Sequence, residues 1–276
     1  MKKLLVFIGF LLAIQVNAQT VKQQIGLKKG EQYSAVNKME IVIAQELMGQ
    51  VLEVFMISNT TNIVDIKDVS ANKIDLTSSL ARFSMEVDAM GQQINMNSDN
   101  PDQAGELSKL LNVPNEYVLD NSGKITSVVK NTPDVENNAM GDMSGNVGEV
   151  EKVGNVFSLL ASIPAAGVKV GETWSETIED EGVTTTSTYT LKSVNNGVGT
   201  VEMEVDIKME RTLNQQGIDM FMNLTGKGKG EFTFDTNTLV VKTKNLNTSS
   251  SGTIEAMGQL IPMSIETKLV SENSKK

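Results

Sequence analysis

From Val201 to Glu210 apolar and charged side chains alternate without a break. Val201, Met203, Val205, Ile207 and Met209 fall on one side; Glu202, Glu204, Asp206, Lys208 and Glu210 fall on the other. Successive side chains of an extended strand point to opposite faces, so this run specifies a strand with one dry face and one wet face. Such a strand needs partners, because its backbone donors and acceptors are satisfied only in a ladder. Turn residues mark where the partners lie. Asn195-Asn196-Gly197 separates the run Val201–Arg211 from Thr184–Val194, and Asn-Gly suits the positive-φ turns that close hairpins. Asp120-Asn121-Ser122-Gly123 sits between Tyr117-Val118-Leu119 and Ile125–Val129 and predicts a second hairpin. Asp235-Thr236-Asn237 predicts a turn from Glu231-Phe232-Thr233-Phe234 into Leu239-Val240-Val241.

The pattern predicts a mainly β (β-rich α+β) fold with a long curved antiparallel sheet and one or two helices. A half-barrel with helices against its concave face suits it; a closed barrel and a sandwich remain open. The first helix is expected at Asn100-Pro101, with Asn as N-cap and Pro in the first turn. Leu107, Leu110 and Leu111 form its apolar stripe and Pro114 ends it. The second is expected from about Val147 to Ile163, with Val150, Val153, Phe157 and Leu160 at helical spacing, though Gly148 and Gly154 weaken it. Between them Pro133–Gly145 reads as a polar loop or linker.

Two ordered matches relate the halves of the chain. Gly26-Leu27-Lys28-Lys29-Gly30-Glu31-Gln32-Tyr33-Ser34 lines up with Gly167-Val168-Lys169-Val170-Gly171-Glu172-Thr173-Trp174-Ser175. Further on, Ala89–Met96 lines up with Ala256–Met263. Met48-Gly49-Gln50 shows that Gly-containing hairpins reuse such residues in any case. The expectation is a signal peptide over residues 1–18 and a single β-rich domain over 19–276. Its two related halves, about 19–132 and 164–276, are joined by a loop or helix segment; two copies of so long a period do not make a solenoid.

The export reading rests on Met1-Lys2-Lys3, a positive start, followed by the apolar run Leu4–Ile14 and by Val16-Asn17-Ala18, which places cleavage before Gln19. The apolar run is short for a bilayer span, which takes about 20 residues. No stable membrane anchor is expected after cleavage, and the mature protein is expected in the periplasm or outside the cell. The whole chain carries a formal charge of −10, and loss of Lys2 and Lys3 makes it more acidic. Nucleic acid is therefore not expected as a partner. With Arg82 and Arg211 the only arginines, clustered bidentate phosphate recognition is not expected either. Cysteine and histidine are absent, which excludes Ser-His-Asp and Cys-His catalysis and any zinc site built on those ligands.

Three stretches carry a resemblance: Pro164-Ala165-Ala166-Gly167-Val168-Lys169-Val170-Gly171-Glu172-Thr173-Trp174, Tyr117–Ile125, and Phe232-Thr233-Phe234-Asp235-Thr236-Asn237-Thr238-Leu239. The chain resembles an uncharacterised family of secreted Gram-negative bacterial proteins, a domain of unknown function with a P-x-x-x-V-K-V-G-[DE]-x-W motif. It departs from that family at Asn237-Thr238, where members often carry Gly after the Thr. The shared motifs are turn and strand-start motifs, so the resemblance implies a fold and export and no activity.

Each candidate site has a plainer structural account. The sequence has 15 methionines; Met140, Met143, Met220 and Met222 could offer thioethers to Cu(I), but core packing accounts for most. A pliable lining for an apolar pocket is a further use. Glu176, Glu179, Asp180 and Glu181 around Gly182 could offer oxygens to Ca²⁺, yet they read as an acidic hairpin tip. Gly226-Lys227-Gly228-Lys229-Gly230 superficially suggests a phosphate loop but lacks the strand–loop–helix context; a glycine-bent strand with solvated lysines fits better. Trp174 could stack on a ligand, but a buried anchor matched by Tyr33 is the preferred reading. No residue is singled out as catalytic, cofactor-binding or metal-ligating, the ligand-binding residues are unknown, and no cofactor is expected.

Three functions follow in order. The first is a non-catalytic exported protein binding a hydrophobic molecule such as a lipid in an apolar cavity. The second, ranked close to it, is an envelope or secreted interaction protein with a packed core. The third is a hydrolase working with two facing carboxylates.

Overall fold

The computed structural model describes residues 20–47, 49–133, 151–215 and 218–276. The expected signal segment, the start of the second helix, Met140 and Met143 lie outside the described residues. In chain order the elements are β1 (Thr20–Val21), β2 (Gln32–Leu47), β3 (Gln50–Val69), β4 (Ile74–Ala89), β5 (Gln92–Asn97), α1 (Pro101–Ala104), a 3₁₀ turn (Gly105–Leu110), β6 (Asn115–Leu119) and β7 (Ile125–Val129). They continue with β8 (Val168–Lys169), β9 (Thr173–Asp180), β10 (Val183–Asn195), β11 (Val198–Gln215), β12 (Ile218–Asp235), β13 (Val241–Ala256) and β14 (Gln259–Lys275).

Twelve strands form one antiparallel sheet, eleven of them in the order β7-β6-β4-β3-β2-β14-β13-β12-β11-β10-β9, with β5 paired to β4 off this path. Strand β4 serves two partners on one edge: Ile74–Ser78 pairs β6 and Ser84–Ala89 pairs β5. The end strands β7 and β9 do not pair with each other, so the sheet is curved and open and is not a closed barrel. β1 and β8 make a separate short pair. The longest strand, β3, has 20 residues, roughly 65 Å of extended chain. Strands of that length must coil, and register shifts at Thr61/Asn62 and Leu191/Ser193 provide bends.

The sequence-level alternation is realised in β11: Val201, Met203 and Val205 are buried, and Glu202, Glu204 and Asp206 are exposed. The Asn196-Gly197 turn has φ of 50° and 77°, the geometry expected of a two-residue hairpin. The glycine-bent strand is also realised. A Cβ on Gly230 would stand 2.3 Å from the Asn245 carbonyl oxygen, and one on Gly226 would stand 2.0 Å from Ser250 Oγ. Strands β12 and β13 therefore approach too closely there for any other residue. Lys227 and Lys229 point outward and meet Asp206 and Glu204 at 3.4 and 3.0 Å. The matched Lys-x-Gly-Glu stretches adopt one local conformation: Glu31 Oε2 accepts from Lys28 N at 3.0 Å and Glu172 Oε2 from Lys169 N at 2.8 Å.

The first helix is present but short. Asn100 Oδ1 accepts from Asp102 N at 3.2 Å, and Gly105 at φ 54° ends the α turn, after which the chain tightens to 3₁₀ up to Leu110. The second helix is a correction: residues 151–163 contain none. The chain there forms a non-helical strap, with turns at Val153-Gly154 and Ser158-Leu159, that is bonded to the β6–β7 and β12–β13 connections. Phe157 N donates to Gly123 O at 2.9 Å, Ala161 N to Leu239 O at 2.8 Å, and Val241 N to Leu159 O at 2.9 Å. Phe157, Leu159, Leu160, Ala161 and Ile163 are all buried while Val153 is 61% exposed. The strap is covered on both sides, and the sheet's backbone outcompetes internal helical bonds. Gly154, at φ 96°, opposes a helix as well.

The strap divides the interior. On one side of it Tyr33, Tyr117, Leu119, Ile125 and Phe157 cluster; on the other Leu191, Val201, Phe232 and Phe234 do. Farther along the concave face the core is methionine-rich, with Met56, Met85, Met222 and Met263 buried beside Ile41, Ile43, Val87, Leu224 and Ile254. Here the two halves of the curved sheet pack on each other directly.

Candidate site: an enclosed cavity with an unpaired ammonium

Between the strap's cluster and the methionine cluster lies a cavity of about 540 Å³. Alternation builds its floor. Ala35, Asn37 and Met39 of β2, Ser58, Thr60, Asn62 and Val64 of β3, and Leu269, Ser271 and Asn273 of β14 are every second residue of their strands. Val241 and Lys244 come from β13, and Glu151, Phe157, Ser158 and Leu159 of the strap close the roof with Tyr117 and Asn115. The wall is therefore mixed, with apolar side chains interleaved with hydroxyls and amides, unlike the wholly apolar cavity expected from the sequence.

Part of the polar wall is satisfied by hydrogen bonds within the protein. Asn115 Oδ1 accepts from Asn131 N at 2.8 Å and from Thr132 N at 3.1 Å, and Asn273 Nδ2 donates to Val241 O at 2.9 Å. Glu151 Oε2 accepts from Ser158 N at 2.7 Å and Oε1 from Ser158 Oγ at 2.6 Å. Burial pushes the Glu151 carboxyl above its ordinary range against those two bonds. Tyr117 is pushed up to about 12 by burial and by the nearby Glu151 charge.

Lys244 is different. It is half-buried and lines the cavity, where the surrounding protein strips part of the water from its ammonium. Burial alone drives its pKa down. Among the described residues no carboxylate stands within ion-pair distance of Nζ and no hydrogen bond reaches it. A buried cation without a partner is costly and uncommon. The β13 sequence Lys242-Thr243-Lys244-Asn245-Leu246 is polar on both faces, which hid the site from sequence reasoning. The usable signal was parity: Lys244 shares its face with Leu246 and Ile254.

The sequence candidates are dispersed. Glu176 turns inward and accepts from Ser162 Oγ, while Asp180 and Glu181 at the hairpin tip are met by Lys152 Nζ at 2.6 and 3.4 Å. Those carboxylates do not converge on a common point. Met220 and Met222 belong to the methionine core. Trp174 stacks on Tyr189 with ring centroids 5.3 Å apart and packs on the second cluster, its indole N–H buried without a partner. Tyr33 is buried and its hydroxyl donates to Glu31 Oε2 at 2.9 Å. Among the described residues Glu151 is the one carboxylate on the cavity wall, so a facing pair of acids is not assembled there.

Fold and site together define an open, curved antiparallel sheet that encloses a small mixed-polarity chamber. The chain belongs to a family of unknown function, DUF6263, which matches residues 71–241. No curated protein matches it. Among solved structures it is similar to lipovitellin, in a structure concerning lipid–protein interactions, with a TM-score of 0.53 and 11% identity. That alignment covers 90% of this chain, which spans 25% of the lipovitellin chain. An outer membrane channel from Pseudomonas putida F1 aligns at 6% identity over 90% of this chain and 97% of its own, with a TM-score of 0.26. The first likeness concerns the fold alone; the second is below the level at which a fold is shared.

Proposed function

We propose that this is an exported, non-catalytic protein that holds a small hydrophobic or amphipathic molecule, such as a lipid, inside its curved sheet. The observation that carries the reading is the cavity of about 540 Å³ roofed by the strap, a size within the range of ligand chambers, about 300–1,000 Å³. One pliable methionine, Met39, lines it and packs on the methionine cluster, which lets the wall fit tails of different shape. Export rests on the Met1–Ala18 segment, and the protein acts in the periplasm or outside the cell. The test is native mass spectrometry of protein exported from a bacterial host and purified without detergent, compared with its denatured mass. A solvent-extractable bound species, or uptake of an offered lipid, supports the reading. A bare mass with no uptake overturns it.

A second reading has its own observation. Met90, Met257, Leu260 and Val51 are 74%, 78%, 68% and 63% exposed. All lie where the β2–β3, β4–β5 and β13–β14 hairpins turn, at one end of the sheet. Exposed apolar side chains gathered at one end suit a protein contact in the envelope. Cross-linking in envelope extracts, compared with a Met90→Ser, Met257→Ser, Leu260→Ser variant, tests it; an unchanged pattern of adducts refutes it.

A further inference from the structure

We propose that the cavity's ligand carries a single negative charge, a carboxylate on an apolar tail, and that Lys244 is the residue that pairs with it. The proposal deepens the cavity-binding reading and rests on it. Two observations lead to it. Lys244 is half-buried, lines the cavity and has no partner among the described residues. Asn115, Asn273 and the Glu151 carboxylate already have partners inside the protein, and Lys244 is the one cationic side chain among the described residues of the wall. An anion brought in by a ligand would pair with the one charged group left open, and a charge-assisted bond formed away from bulk water is stronger than one in it.

The charge count sets the ligand class. Lys244 contributes one positive charge as a compact point donor. Among the described residues no second cation lines the wall. Arg82 is committed elsewhere, to Asp99. A phosphate dianion would therefore meet too little positive charge, whereas a carboxylate matches it. Met39, Leu80, Leu110, Phe157, Leu159 and Leu269 supply the apolar wall for a tail.

Calorimetric titration of the exported protein with dodecanoate and with dodecanol, near pH 7, tests the pairing, since the two probes share a tail and differ in charge. Wild type is expected to bind dodecanoate at least about tenfold more tightly than dodecanol. Lys244→Met is expected to lose at least about tenfold in dodecanoate affinity while binding dodecanol within about twofold of wild type. If both probes bind wild type alike, or if Lys244→Met leaves dodecanoate binding unchanged, the ion pairing is refuted while the cavity reading stands. If neither probe binds, the cavity reading fails and the pairing falls with it. Should Lys244→Met not fold, the wild-type comparison of acid with alcohol still decides.

Discussion

Replacing Lys244 by Met is expected to make the ligand-free protein more stable. In the folded state the ammonium has left bulk water and gained no partner, whereas in the unfolded chain it is fully hydrated. The effective penalty for an enclosed ion is several kcal/mol, and trading buried charge for a well-packed apolar group has stabilised proteins by about 1–4 kcal/mol. The cavity gives the ammonium some polar surroundings, so a gain of about 1–3 kcal/mol is expected near pH 7. For a chain of this size that is a rise of roughly 2–10 °C in Tm. The pH dependence separates this cause from better packing. Lys244 has a folded pKa below its unfolded value, so between the two values the unfolded state binds more protons. Wild-type stability therefore rises with pH through that window, and the penalty is full below the folded pKa. The advantage of Lys244→Met should be largest on the acidic side of the window. It should shrink as pH approaches the ordinary lysine value of about 10.4. Thermal melts of both proteins across that range, freed of bound lipid by solvent extraction and refolding, make the comparison. A variant no more stable than wild type near neutrality, or an advantage that does not shrink with pH, would refute the reasoning.

Other perturbations have defined outcomes. Burial pushes the Glu31 carboxyl up, but the Lys275 ammonium, the Lys28 N–H and the Tyr33 hydroxyl outweigh it and hold the pKa below the ordinary value. Its stabilisation is therefore complete above about pH 4.3 and lost as pH falls through the folded value. Glu31→Gln should cost about 1 kcal/mol or less near pH 7, with the gap closing in urea titrations as pH falls through the lowered folded value. Ser158→Ala removes the hydroxyl from Glu151 Oε1 and should cost about 1–2 kcal/mol. Because the Glu151 carboxyl is raised, that cost should be full where it is ionised and smaller near pH 4, read from melts at both conditions. Gly230→Ala forces a Cβ onto the Asn245 carbonyl and should cost about 1–3 kcal/mol, measured by urea denaturation; an unchanged midpoint would show that β12 and β13 can separate freely.

Much of the sheet was legible in the sequence because its strands have one dry face. Val201–Glu210 alternates so strictly that its partner, its turn and its inward residues could all be named from the residues. The strap was misread for the opposite reason. Phe157, Leu159, Leu160, Ala161 and Ile163 are covered on both sides, and a segment buried all round shows no reliable period. The apolar positions that fell at helical spacing did so by coincidence, and one of them, Val153, is in solvent. Lys244 was illegible on other grounds. Parity places Lys244 on the face of Leu246 and Ile254, but a chamber appears only when β2, β3, β13 and β14 curve over the strap, and nothing local announces that. The mixed wall follows from the same face: its serines, threonines and asparagines read locally as solvent-facing.

The pairing of β14 with β2 has a consequence for how the molecule reaches its native state. Lys275 lies opposite Tyr33 and Met263 opposite Gln45, so the seam in the middle of the sheet joins residues separated by most of the sequence. Chains whose contacts are this distant fold slowly, because the entropy of closing a long loop is lost before the contacts form. A chain delivered N-terminus first presents β2 long before β14 arrives, leaving one edge of β2 open and the methionine face of the nascent sheet wet. Such an intermediate is prone to edge-to-edge association. The rate at which the last strand docks thus sets how long the chain needs protection, and changes that weaken β14 should lower the yield of soluble protein before they lower the stability of what has folded.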